Sequence, residues 1–178
     1  MKGVLLNVVE EAVSREWGEE MWDELLTACD LEGAYTTLGN YSDADLVALA
    51  SAAADRLASP VDDVMRILGR LCFEPLASRY PAFLEEPTSV REFLPTVDDL
   101  IHPEVLKLYP GASVPRFLVR ENGDDLEMDY ASVRNMCKLA EGLILGVADH
   151  YGESVAVDQP CCKQRGDSRC TIRILGAI

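Results

Sequence analysis

His102 stands on the apolar stretch Ile101-His102-Pro103-Glu104-Val105-Leu106-Lys107-Leu108-Tyr109, directly before the Pro110-Gly111 turn. It is one of only 2 histidines in the 178-residue chain. An imidazole in such a place is either an ordinary hydrogen-bonded histidine or a metal ligand. In the second case one ring nitrogen bonds a metal such as a haem iron while the other donates to an acceptor. A second constellation lies downstream at Tyr130-Ala131-Ser132-Val133-Arg134, where polar residues fall at i, i+2 and i+4. On an extended strand that spacing sends all three side chains to one face. Two hydroxyls and a guanidinium converging on one point suit a carboxylate or phosphate, because arginine offers a planar fork of donors and the hydroxyls add directional bonds. Ser132 also reads as the N-cap of a helix running to Tyr151, and a helix N-terminus is itself an anion site. The plain alternative is a surface strand with an ordinary cap.

The 6 cysteines form a third group of candidates. Cys29 and Cys72 sit singly on apolar helical faces and read as small buried hydrophobes. Cys137, Cys161, Cys162 and Cys170 are different, since three of them bracket one short hairpin and the fourth lies on the helix packed nearby. Four thiolates make a tetrahedral zinc site. The spacing is neither a standard ribbon nor a finger, so redox-active or inert thiols stand beside the metal reading.

The elements that must position these residues follow from periodicity. Residues 2 to about 17 and Glu19 to Cys29 carry apolar stripes at helical spacing. Ser42 caps a predicted helix over Asp43 to Leu57. Ser59-Pro60 opens another, expected to run through Leu76 unless Pro75 ends it sooner, with Met65, Leu68, Cys72 and Leu76 near one face. The segment from Thr88 or Ser89 to His102 contains Pro95 and abuts Pro103. It should be kinked or restarted, with His102 at the weakened junction. Beyond Pro115 the pattern turns to strands at Arg116 to Arg120, Leu126 to Tyr130, Ser154 to Asp158 and Thr171 to Leu175, the first two flanking a connection over residues 121 to 125. The fold class is therefore α+β: a single domain over residues 1–178, with a helical lobe over about 1–85 and, over 86–178, a lobe with an antiparallel sheet of about four strands.

Composition narrows the function. The chain holds 31 acidic and 16 basic residues and a formal charge of −15, which argues against binding nucleic acid or anionic membrane, both of which need basic patches. No run approaches the ~20 apolar residues of a membrane span. Glu10 and Glu11 interrupt the apolar opening that would otherwise resemble a signal sequence, so the expected location is cytoplasmic. A nucleophile elbow, a P-loop and a His-Glu-x-x-His motif are all missing from the sequence, so an enzyme is not expected.

Taken together, Met1-Lys2-Gly3 opening an apolar helix, Gly69-Arg70, the Ile101-to-Pro115 stretch and Tyr130-x-Ser132-x-Arg134 followed by an apolar helix resemble the haem nitric oxide/oxygen binding (H-NOX) family. That family is the sensor module of soluble guanylate cyclase and its bacterial relatives, and the resemblance covers essentially the whole chain. It implies haem b between the two lobes and His102 as the proximal iron ligand on its own helix. It further implies that Tyr130, Ser132 and Arg134 hold the propionates, and that Pro115 distorts the porphyrin with Leu5 and Leu143 packed against it. In oxygen-binding members a tyrosine donor occupies the position that is Leu139 here, and the supporting polar positions fall on Val9 and Cys72. With Leu76 these make an apolar distal pocket, so NO and CO are the expected ligands. As the family implies it, NO weakens the His102–iron bond, and the resulting shape change signals to a partner in trans, a sensor histidine kinase first and a cyclic-di-GMP enzyme next. Some bacterial members also carry zinc on one helix cysteine and a His-x2-Cys-x7-Cys run. Cys137, Cys162 and Cys170 match that pattern, but Gln159 replaces the histidine, leaving Cys161 as the substitute. The alternatives are a zinc/thiol redox sensor and an oxygen-binding haem protein.

Overall fold

A computed structural model describes residues 1–177. Four helices come first: α1 (Gly3–Trp17), α2 (Glu19–Cys29), α3 (Asp43–Leu57) and α4 (Val61–Arg79). Ser42 caps α3 as expected, its Oγ accepting from the Ala44 amide at 3.1 Å. Helix α4 departs from expectation at both ends. Pro60 rather than Ser59 occupies the cap position, and the helix runs past Pro75 to Arg79. Proline inside a helix removes one bond, but Pro75 is buried and its own carbonyl accepts from Arg79 Nη1 at 2.9 Å, so packing and a local bond hold the last turn.

The segment that carries His102 is α5 (Val90–Thr96), a π-helical turn (Val97–Ile101) and α6 (His102–Leu108). Ser89 Oγ accepts from the Glu92 amide at 3.2 Å, and the Glu92 carboxylate returns to the Thr88 amide at 2.9 Å, a reciprocal cap. The expected restart falls at His102, with Pro103 in the first turn of α6. The chain passes through a wide turn and not through a break, because Val97 and His102 both keep right-handed helical dihedrals.

The second lobe is a four-stranded antiparallel sheet in the order β1-β2-β4-β3, made of β1 (Arg116–Asn122), β2 (Asp125–Ala131), β3 (Ala156–Cys161) and β4 (Cys170–Leu175). The first hairpin is tighter than the sequence suggested. Asn122 pairs with Asp125, so the loop is Gly123-Asp124 alone, with Gly123 at φ 64°. Strand β3 begins two residues later than expected, at Ala156. Helix α7 (Cys137–Tyr151) starts five residues later than Ser132, and Val133, the first residue after that predicted cap, is 89% exposed.

Two cores result. One gathers Leu6, Val8, Leu25, Leu46, Leu49 and Leu68 from the first four helices. The other gathers Phe93, Leu126, Met128, Ile144, Ile172 and Ile174 around the sheet. Full burial of side chains of this size stabilises by roughly 1.5–3 kcal/mol each. Helix α4 serves both, giving Leu68 and Cys72 to the first and Phe73 and Ala77 to the second. It lies backbone to backbone on α7: a Cβ on Gly142 would stand 2.0 Å from the Arg66 carbonyl oxygen, and one on Gly69 would stand 2.3 Å from that of Leu139.

Candidate haem and thiol sites

His102 lies at the start of α6 with its side chain 14% exposed, its ring tilted over Phe117 at a centroid distance of 5.3 Å. Burial pushes the imidazole below its ordinary value. The Asp98 carboxylate and the Pro115 carbonyl oppose that shift, and Arg116 adds to it. The ring is therefore favoured in its neutral form, the form that ligates a metal. Its Nδ1 is buried with no hydrogen-bond partner among the described residues.

Tyr130, Ser132 and Arg134 fall within one strand end and the turn after it, not on one strand. Tyr130 ends the buried face of β2, the strand stops at Ala131, and a turn carries the chain through Asn135 at φ 53° to α7. Ser132 caps that turn and not a helix, its Oγ accepting from the Arg134 amide at 3.1 Å. The helix-terminus anion site expected at Ser132 is therefore not formed. The Tyr130 hydroxyl accepts from the Met136 amide at 3.2 Å, which fixes the end of the turn from inside. Arg134 reaches back across the lobes, Nε to Asp43 Oδ2 at 2.9 Å and Nη1 to the Ser113 carbonyl at 2.8 Å. Its remaining guanidinium donors make no bond among the described residues.

These residues fit a haem on the chemistry of the donor set: a neutral, partly buried imidazole, and, within one strand end and turn, two hydroxyls and a guanidinium, the donor types suited to carboxylates. The apolar candidates are consistent with it. Val9 and Cys72 are buried, while Leu76, Leu139 and Leu143 are half-buried against the helical core, and Leu143 also packs on the sheet core. Leu5 and Pro115 are half-buried. Burial pushes the Cys72 thiol up to about 12, as befits an inert apolar filler.

Several contributors were not visible in the sequence. Asp43 holds the Arg134 guanidinium from 91 residues away. Lys2 is buried, its ammonium donating to the Leu38 and Pro110 carbonyls at 3.1 and 2.7 Å, which ties the start of α1 to the loop after α6. The hydroxyls of Tyr80 and Tyr109 meet, joining the end of α4 to the end of α6. No local pattern marks such pairs, because each couples stretches distant in sequence.

The thiols sort differently from expectation. Cys137, Cys162 and Cys170 are buried and their sulfurs lie within 4.8 Å of one another, with Cys137 and Cys162 at 3.6 Å. Bonds of ~2.3 Å to a tetrahedral zinc set thiolates about 3.8 Å apart, so these three fit. Cys161 is not in the cluster, because neighbouring residues on an extended chain point to opposite faces. The Gln159 side chain borders Cys137 with its amide buried and unpartnered. The set is one thiolate short of a closed structural zinc site.

A family model described as haem-NO-binding matches residues 2–159. Comparison with curated proteins gives no match. Among solved structures, an H-NOX protein from S. oneidensis in the Fe(II)NO ligation state is 30% identical with a TM-score of 0.90, covering 98% of each chain. The Shewanella oneidensis H-NOX domain in the Fe(II)CO state is 29% identical with a TM-score of 0.88, covering 98% of each chain. The Fe(II) unliganded H-NOX protein from K. algicida is 28% identical with a TM-score of 0.84, over 98% of this chain and 96% of that one. Among the described residues no helix is long and apolar enough to cross a membrane.

Proposed function

This chain belongs to the haem-NO-binding family, and from that premise we propose that it is a haem-based gas sensor, taking NO and CO at ferrous haem b and reporting to a partner in trans. The observation that carries the reading is His102, whose ring is favoured neutral by burial and keeps a buried nitrogen without a partner. His102 would hold the haem, and the bound group would supply a ferrous iron able to take a diatomic ligand. The protein's part is positional. His102 enters from the first turn of α6, beside a π turn that can take up displacement. Tyr130, Ser132 and Arg134 supply donors for two carboxylates, and Asp43 fixes the arginine. Leu5, Pro115 and Leu143, all half-buried, would pack against the ring system.

Ligand choice rests on what Val9, Cys72, Leu76 and Leu139 lack. None carries a strong hydrogen-bond donor, whereas bound oxygen gains from one and NO and CO do not need it. The signal passes to a second protein only if that partner binds the two shapes with different affinity. A sensor histidine kinase is the first candidate and a cyclic-di-GMP enzyme the second.

The test is spectroscopic. Reduced protein should shift its visible spectrum with NO and with CO, and in air should oxidise without holding an oxygenated form. An oxygenated spectrum that persists in air would overturn the selectivity.

A further inference from the structure

A histidine that ligates a metal through one nitrogen leaves the other to be oriented by an acceptor, and that acceptor sets both the tautomer and the donor strength of the ring. Four residues before His102, on the π turn, lies Asp98, its side chain 12% exposed. Its Oδ1 stands 3.7 Å from His102 Nδ1, the nitrogen that is buried without a partner. The same oxygen accepts from the Phe117 amide at 3.2 Å, and Oδ2 pairs with Arg116 Nη2 at 3.0 Å. A carboxylate is thus pinned from the first two residues of β1 and held just beyond bonding distance behind the imidazole.

Resting on the reading that haem is bound through His102, we propose that Asp98 is the positioning residue of that ligand. With that 3.7 Å gap closed, it would accept the Nδ1–H bond, leave Nε2 for iron and tie the strength of the iron–histidine bond to strand β1. Arg116 tempers it. A carboxylate acceptor makes an imidazole a stronger donor, and an arginine on the far oxygen draws part of that charge away. The pair therefore sets a bond firm enough to hold iron and weak enough to yield. The competing acceptor is the Pro115 carbonyl, which also approaches the ring.

The experiment is resonance Raman spectroscopy of the ferrous, ligand-free holoprotein, reading the iron–histidine stretching band in the wild type, Asp98→Asn and Arg116→Ala. An amide oxygen at position 98 can still accept from the Phe117 amide, so the first variant should fold. Its band should move to lower frequency. Arg116→Ala leaves the carboxylate in place and should move the band to higher frequency, and it carries the test alone if the first variant proves unstable. A merely structural role would not give shifts of opposite sign. An unmoved band in both variants assigns the acceptor to Pro115 and overturns the proposal while sparing the haem reading. A wild type with no iron–histidine band overturns both.

Discussion

Arg134 shows how much a single side chain here depends on a distant one. Burial alone would raise the Asp43 carboxyl, but the ion pair with the Met1 ammonium and the hydrogen bond from Arg134 outweigh it and hold the group below the ordinary carboxylate value. A depressed folded-state value means that the pairing stabilises the protein above the unfolded value of ~3.9 and is lost as pH falls through the folded one. Asp43→Asn should therefore lower the melting temperature at neutral pH, with the gap to wild type starting to close as pH falls below about 4 and gone only under the lowered folded-state value, where both lack the charge. Melting curves across pH check this, and a gap that persists at low pH would assign the effect to packing instead. The spacing of Tyr130, Ser132 and Arg134 was legible because it lies within five residues. Asp43 was not, since only the folded chain brings α3 to the turn after β2.

At the scale of elements, the α4–α7 pair is the spine on which both lobes are built, and glycine is what lets it close. On Gly142 a Cβ would meet the Arg66 carbonyl at 2.0 Å, and on Gly146 one would meet Phe73 Cβ at 2.4 Å. Neither helix backbone can retreat without disturbing the buried Glu141, held by Arg66 Nε at 2.9 Å and Lys138 Nζ at 2.6 Å. Gly142→Ala should cost about 1–3 kcal/mol or more from overpacking, read as a lower denaturant midpoint with an unchanged slope. A loss under about 0.5 kcal/mol, the range of an ordinary surface change, would contradict so tight a contact. Most helix bounds were readable from caps and stripes, with α2 and α3 the plainest. The start of α7 was not, because Ser132 offers the same cap signal to a turn as to a helix, and Asn135 in the left-handed region decides for the turn. The end of α4 was hidden for a related reason: Pro75 left the stop open, and burial together with the Arg79 bond to its carbonyl carries the helix past Leu76 to Arg79.

The molecule as a whole is a helical lobe and a sheet lobe that share α4 and are tied at polar points that include Arg134 to Asp43 and Lys2 to Pro110. The α6 segment is bound to both sides, by Asp98 to β1 through the π turn and by the loop after it to the start of α1. Under the proposed reading, a displacement of His102 would reach both lobes through these contacts. The measurement that bears most directly on this is the visible absorption of the purified, haem-reconstituted protein beside His102→Gly, with and without added imidazole. A Soret band is expected in the wild type, with its loss or marked weakening in the variant and its return when imidazole takes the vacated place at the iron. A colourless wild type, or a variant whose Soret band is unchanged without imidazole, would contradict it.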